Sequence, residues 1–535
     1  MSESLCVPKL CGADIELGNF IAAPLTYGDS VRVASQALLH EIVEAERAVP
    51  ARRPNAGARD DDPQDRGRHF FPGNGGSAYI DLDHIELCIP EVLSAYDHVA
   101  AWHAMLRITR RAQHAANARR GPDDQITVLV NNSDGLGHSY GSHLSFLVSR
   151  VAFDNILHRR PHYLAFLAAF QASSLPYTGQ GKVGSENGAP WVPYQLSQRA
   201  DFFETVIGVQ TTTFRPLVNS RQEALCGPYH AGHDDLARLH VIFFDSTLCE
   251  VSSLLRVGTM QIVLAMIEAG IVDTSLALED PVASVVAWSH DPSLNAAARL
   301  VSGDSLTALQ LQRRYFSHAE RFVASGEAEP VVPRAAEILA LWSDTLDKLE
   351  ARDWEALAPR LDWVLKRSLL QRAIAQHPSL DWNSLEIKHL DQIYSSLDPS
   401  EGLYWSMASA GLVERVVSSA RITQLEREPP RDTRAWARAM LLRRAAPVVE
   451  EVDWDLVRLR ATDGRGAGES WRIDLVDPLG TRAARLVEAW PDDWDLDDLA
   501  RALDGTRVRP AASGYSRYSG YSSGAWASSA ITPPP

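Results

Sequence analysis

Asp81, Asp83, Glu86 and Glu91 fall within one short stretch, Asn74 to Glu91, with His84 among them. Carboxylates this dense repel one another unless cations lie between them, and for oxygen donors Mg²⁺ is the physical default. A solvated acidic turn would account for the same residues without any chemistry. Apolar and polar residues alternate through Ala78, Ile80 and Leu82, which reads as a strand presenting its polar side to one face. A second acidic strand, Cys11 to Gly18, places Asp14 and Glu16 two apart, so both carboxylates point the same way. Two such strands side by side make a carboxylate-lined sheet, suited to Mg²⁺ carrying the phosphates of a nucleotide.

Other residues can complete such a site. Val130 to His143 leaves a strand and enters a glycine-punctuated polar loop. Small residues there let the backbone approach a ligand, and His143 can reach it from the first turn of a following helix. Taken alone, an Asn/Gly turn with a surface histidine is the better explanation of the motif. Arg199, Arg215, Arg221 and Arg238 offer guanidinium forks that match phosphate or carboxylate oxygens, and His240 follows Arg238 into a strand, Val241 to Phe244. Singly, each arginine is an ordinary salt-bridge partner. Together they suggest the wall of a nucleotide pocket opposite the acidic face. Gly179 to Gly184 is a plain Gly-rich turn and not a phosphate loop, because Val183 follows Lys182. His230 and His233 read as loop histidines. No HExxH or Gly-x-Ser-x-Gly pattern occurs.

The chain that must position these groups has 535 residues, enough for two or more domains. It is 45% hydrophobic and 22% charged, as soluble enzymes are. A net charge of −16 argues against non-specific nucleic-acid binding. No run looks long enough to span a bilayer, and the first residues lack a signal pattern, so no membrane partner is expected. Five cysteines without a CxxC pair fit free thiols in a reducing cytoplasm.

Periodicity predicts a helix over Ser30 to Ala48, a helix over Val92 to Ala118, a short strand over Gln125 to Asn131 and a largely helical Gly141 to Phe170. Pro50 to Gly73 has no period and reads as a mobile loop within the domain. Helix dominates from Val257 to about Ser418. Pro429-Pro430 marks a boundary, so residues 1–430 form the main domain and 431–490 a small C-terminal domain with strands at Trp454–Leu459 and Trp471–Val476. Residues 491–535 read as a mostly disordered Ser/Gly/Tyr/Pro-rich tail, a solvated end first and a partner-binding segment second.

In this order, the segments resemble the Pup ligase and Pup deamidase/depupylase family, whose fold is related to glutamine synthetase and the carboxylate–amine ligases. The family pattern Gly-x-Glu-x-Glu-Tyr/Phe-Gly corresponds to Gly12 to Gly18. Asn-Gly-Ala-Arg-Leu-Tyr-x-Asp followed by His-Pro-Glu-Tyr and Pro-Glu corresponds to Asn74 to Glu91. Asn131 to His143, Ser197 to Phe202, Arg215 to Arg221 and Arg238 to Ile242 match further family motifs, and Leu255 to Thr259, Asp362 to Arg367 and Asp477-Pro478 extend the likeness. Asp81 and His84 have depupylase spacing, where ligases carry one more residue. The segment Pro50 to Gly73 sits where depupylases have an insertion, and Arg199 to Phe202 also looks depupylase-like. The chain departs from the pattern at Asp14 for Glu, Ser77 for Arg, Ile85 for Pro, Leu87 for Tyr, and Leu144-Ser145-Phe146 for Glu-Asn-Tyr.

The resemblance implies an α+β fold with a curved, glutamine-synthetase-like antiparallel sheet covered by helices, plus the small C-terminal domain. It implies Mg²⁺ held by Asp14, Glu16 and Glu86, with ATP phosphates near His240 and faced by Arg215 and Arg221, and Trp454 beside the adenine. Asp81 would be the nucleophile or the general base, with Tyr79 and His143 bonding the reacting centre. The implied activity is deamidation or isopeptide hydrolysis on Pup or a Pup-like protein, with ATP as a bound cofactor. An ATP-consuming Pup-type ligase and a catalytically weak Pup-binding paralogue remain as alternatives.

Overall fold

The structure, a computed structural model, describes residues 6–21, 26–51, 67–221, 235–461, 469–480, 483, 485, 487, 489 and 495–508. His230 and His233 lie outside the described residues, as do the tail beyond 508 and residues 52–66.

The two acidic segments do become neighbouring strands, in a seven-stranded sheet. In chain order its strands are β1 (Cys11–Glu16), β2 (Val49–Pro50), β3 (His69–Phe70), β4 (Ser77–Asp81), β5 (His84–Cys88), β6 (Ser142–Ser149) and β7 (Leu236–Val241). Across the sheet they run β7-β6-β1-β5-β4-β3-β2, with every pairing antiparallel. Alternation assigns the faces. Ala13, Ile15, Ala78, Ile85, Leu87, Leu144, Phe146, Leu239 and Val241 are buried on one side, where helices Tyr27–Glu46, Ala95–Asn117 and Glu250–Glu268 cover the sheet. The opposite face carries the polar set.

Several elements differ from the sequence reading. The alternation through Ala78, Ile80 and Leu82 does not continue as one strand. It breaks at a two-residue turn, Leu82-Asp83, with φ of 43° and 76°, and Leu82 is 59% exposed instead of facing the core. Positive φ at both central residues is the geometry that matches the twist of a tight hairpin. Gly141 to Phe170 is helical from Arg150 on, through Arg150–Asp154, Asn155–Arg159 and Pro161–Ser173, but its first part is the strand β6, Ser142–Ser149. Polar His143 and Ser145 alternate with apolar Leu144 and Phe146, a period of two that a helix cannot use. His143 therefore stands on a strand and not on a helix's first turn.

Of the segment 50–73, Pro50 and His69–Phe70 are strand, while the other described residues are bend, turn or irregular. Val49↔Phe70 and Pro50↔His69 pair, and Ala51 N–H donates to the Arg68 carbonyl at 2.8 Å. Phe70 and Phe71 are fully buried, and this burial outweighs the loop-like composition around them.

The helix Glu250–Glu268 is, among the described residues, the one long and apolar enough to cross a membrane, yet all of it is buried inside the protein. The small unit begins with helix Arg434–Ala445 and continues as a four-stranded sheet of Val449–Val452, Leu456–Arg460, Ser470–Asp474 and Thr506–Val508. It thus runs past residue 490 into the predicted tail. Asp495 and Asp498 form a capping box there, and the helix Leu496–Ala502 that follows buries Leu499 and Ala500. Val49 and Phe70 of the main sheet share the core of this unit with Ala437, Leu441, Val457 and Ile473.

Candidate functional site

Register sets out the polar face strand by strand. Asp14 pairs with Cys88 on one side and His143 on the other, and Glu16 pairs with Glu86. Tyr79 pairs with Glu86, Asp81 with His84 and Ser77 with Cys88. His240 pairs with Ser145, two residues along β6 from His143. Directly opposed residues share a face, so Asp81, Tyr79, Glu86, Asp14, Glu16, His143 and His240 lie on one surface.

Two overlapping groups have donor atoms all within 4.8 Å of one another: Asp14 with His143 and His240, and Asp14 with Glu86 and Cys88. The rings of His143 and His240 meet edge to face at 5.0 Å. Neither nitrogen of His240 has a hydrogen-bond partner among the described residues. Burial, then the surrounding arginines, hold His143 well below the usual imidazole range; burial, Arg238 and His143 do the same to His240. Both stay neutral and able to donate a lone pair. The set fits a divalent cation, since buried unpartnered nitrogens beside a carboxylate are what a metal would satisfy.

Glu16 stands next to these groups. Burial pushes it up to about 7, opposed by the Gly141 N–H that it accepts at 2.5 Å. Burial, followed by the charges of Asp14, Glu16 and Asp81, raises Glu86 well above the carboxylate range. A side-chain hydrogen bond from Tyr79 works against that rise. Asp81 is likewise raised by burial, against the pull of Arg68 and Arg221, and its Oδ1 is buried without a partner among the described residues. Crowded carboxylates destabilise each other's ionised forms, and a cation reverses that.

The remaining acids of the first motif do not join the cluster. Asp83 is exposed in the turn. Glu91 is buried 2.7 Å from Arg434 and 2.6 Å from Arg438. Burial alone would raise its pKa, but the two guanidiniums overcome that and hold it at about 2. It ties the sheet to the small unit.

The loop carrying the Asn-Gly motif is anchored rather than free. Asn132 accepts from Ser246 N–H at 2.6 Å and donates to the Tyr140 carbonyl at 3.1 Å. Arg199 Nη1 donates to that same carbonyl at 2.7 Å, and Tyr140 OH donates to Asn131 at 2.5 Å. His84 stacks on Tyr140 at 4.7 Å and reaches the Leu17 carbonyl at 2.9 Å. A Cβ at Gly141 would lie 2.4 Å from His143 Nε2, so only glycine fits beneath that ring.

Arg215 is pinned by the Thr211 and Ser139 carbonyls at 2.9 and 3.0 Å, and Glu16 acts on it electrostatically. Arg221 acts on Asp81, His143 and His240. Trp454 lies at the small-unit end, 5.1 Å edge to face from Phe70 and 4.7 Å from the Arg438 guanidinium.

Two residues escaped the sequence reading. Cys88 lies two past Glu86 on one strand, so period two alone puts it on the same face. Arg68 follows the described gap, and its guanidinium sits 3.8 Å over the Tyr79 ring; composition hides the strand it precedes.

The family model described as Pup-ligase protein matches residues 16–458. A depupylase of Acidothermus cellulolyticus is 35% identical over 413 residues, covering 77% of this chain and 78% of that protein. A Pup–protein ligase of Acidimicrobium ferrooxidans is 33% identical over 426 residues, covering 79% and 89%. Among solved structures, the complex between the prokaryotic ubiquitin-like protein Pup and its ligase PafA aligns with a TM-score of 0.74 and 25% identity, over 91% of this chain and 93% of that one. PafA in complex with ADP aligns with a TM-score of 0.66 and 27% identity, over 79% and 89%.

Proposed function

The chain belongs to the Pup-ligase family and is an enzyme of its ligase/depupylase group, and on that premise we propose that it hydrolyses amides: the side-chain amide of a C-terminal Gln on Pup or a Pup-like protein, or the Glu–Lys isopeptide of its conjugates. The observation that carries the hydrolase reading is the two-residue turn between Asp81 and His84, the spacing that resembles depupylases. Likeness to an ADP-bound relative supports ATP as the bound nucleotide.

Asp14, Glu16 and Glu86, oxygen donors of the kind Mg²⁺ takes, would hold Mg²⁺ carrying the nucleotide, with His143 and His240 near the phosphates. Mg²⁺ held there would supply the positive charge that lets the neighbouring carboxylates stay ionised. Arg215, fixed by two carbonyls, and Arg221 face anionic oxygen atoms. Asp81 does the chemistry. Partial burial makes its carboxylate a better base and nucleophile than a solvated one. It attacks the amide carbonyl or takes a proton from water that does so. Either way the C–N bond breaks, the nitrogen leaves as ammonia or a lysine amine, and water supplies the oxygen of the new carboxylate. Tyr79, kept protonated by burial, can hydrogen-bond the reacting centre. The four described cysteines are unpaired, which supports work in a reducing cytoplasm.

The test is intact mass of Pup ending in Gln, and of a Pup conjugate, incubated with this protein, Mg²⁺ and ATP. Conversion of the terminal Gln to Glu, or release of the conjugated lysine, supports the reading. Unchanged masses beside a newly formed isopeptide from Pup ending in Glu would favour the ligase reading instead.

A further inference from the structure

Ser77 is buried on the reactive face. The structure brings an arginine from a neighbouring strand edge to that spot. Phe70 pairs with Ser77 and His69 with Ala78, so the count continues to Arg68 opposite Tyr79. Arg68 Nη1 donates to Ser77 Oγ at 3.2 Å and to Cys88 Sγ at 3.3 Å, and its guanidinium lies 3.8 Å above the Tyr79 ring and 5.9 Å from Trp454. Its charge also reaches Asp81.

We propose that Arg68 is a positioning residue of the reactive face, supplying a guanidinium to it from β3's edge. The inference rests on the functional reading above. A guanidinium at this corner does two things. It clamps the Tyr79 ring by stacking, which fixes where the hydroxyl points. It also places a permanent positive charge beside Asp81, in a partly water-excluded setting where charge acts strongly. Ser77 is part of the device. Its small hydroxyl accepts from Arg68 and leaves room for it, whereas two guanidiniums would compete for one site.

The experiment is a relocation on the full-length protein, assayed with Pup ending in Gln and saturating Mg-ATP. Arg68→Ala should lower kcat by about 100-fold with KM little changed, the scale of losing one preorganised donor. Ser77→Arg on its own should also be impaired. The double variant Arg68→Ala/Ser77→Arg should recover at least about tenfold over Arg68→Ala, and Arg68→Lys should fall between, since it keeps charge but loses the planar fork. Wild-type kcat in Arg68→Ala, or a double variant no better than the single, would overturn the proposal. If Arg68→Ala loses its thermal transition, the Lys variant and the relocated pair decide in its place. A wild type inert toward every Pup substrate would remove the functional reading, and this proposal with it. An active wild type indifferent to Arg68 would remove the proposal alone.

Discussion

Asp81 holds a buried oxygen that nothing described in the fold bonds, an arrangement with a cost that a structural role would not justify. Asp81→Asn removes its charge at almost no change in volume. Amide hydrolysis should fall to background while the Mg-ATP-dependent rise in melting temperature persists; turnover near wild type would disprove the assignment. Glu91 illustrates the opposite case, a buried carboxylate fully matched by Arg434 and Arg438. Its folded pKa, about 2, lies below the ordinary 4.5. The pair therefore stabilises the fold above pH 4.5, and that contribution fades as pH falls from there toward 2, on the order of 3 kcal/mol in all. Urea midpoints of wild type and Glu91→Gln should differ clearly at pH 7, less at pH 3, and converge only as the pH falls to about 2.

At the scale of elements, the short strand β3 does more than its two residues suggest. Phe70 packs against Trp454 and joins the core of the small unit. Phe70→Ala should cost about 3–5 kcal/mol, read as a lowered melting temperature; a change within a degree would mean the two units are not packed through it. Here the sequence was least legible. The acidic strands showed themselves through period two, because alternating carboxylates and aliphatics leave that imprint. β3 did not, because two residues cannot display a period and its flanks are rich in Arg, Asp and Pro. β6 was misread for another reason: Leu147 and Val148 break its alternation, and the helix that follows lends its pattern to the whole stretch. The cluster of Asp14 with His143 and His240 joins residues far apart in the chain, so spacing could nominate its members but not assemble them. Glu91 sat among acids and shared their sign; only the arginines far along the chain reveal its role.

At the scale of the whole molecule, the question is how nucleotide use relates to bond breaking. A ligase consumes one ATP for each bond formed, because a carboxylate and an amine do not condense favourably in water. The hydrolase proposed here would need the nucleotide bound but not spent. ADP released beside amide cleavage should therefore be far below one per event, measured by coupled assay and intact mass in the same tube. ADP appearing one for one with a new isopeptide would overturn the hydrolase reading and leave the fold standing. Nucleotide binding should also stabilise the protein by mass action, and Glu16→Ala should remove most of that thermal shift; an undiminished shift would place the cation elsewhere.

The Leu82-Asp83 turn has a bearing on ancestry. Two residues is the commonest tight connection between antiparallel strands, so the segment has little room to shrink. A codon can be added there without touching the ladder, but removing one would cut into paired residues, beginning with Asp81 or His84. Lineages can thus drift from the short form to the longer one by a single insertion, while the reverse step is available only to those that have already lengthened. In this chain Asp81 is the last paired residue before the bend, and its position is guarded against deletion by the same geometry that orients it.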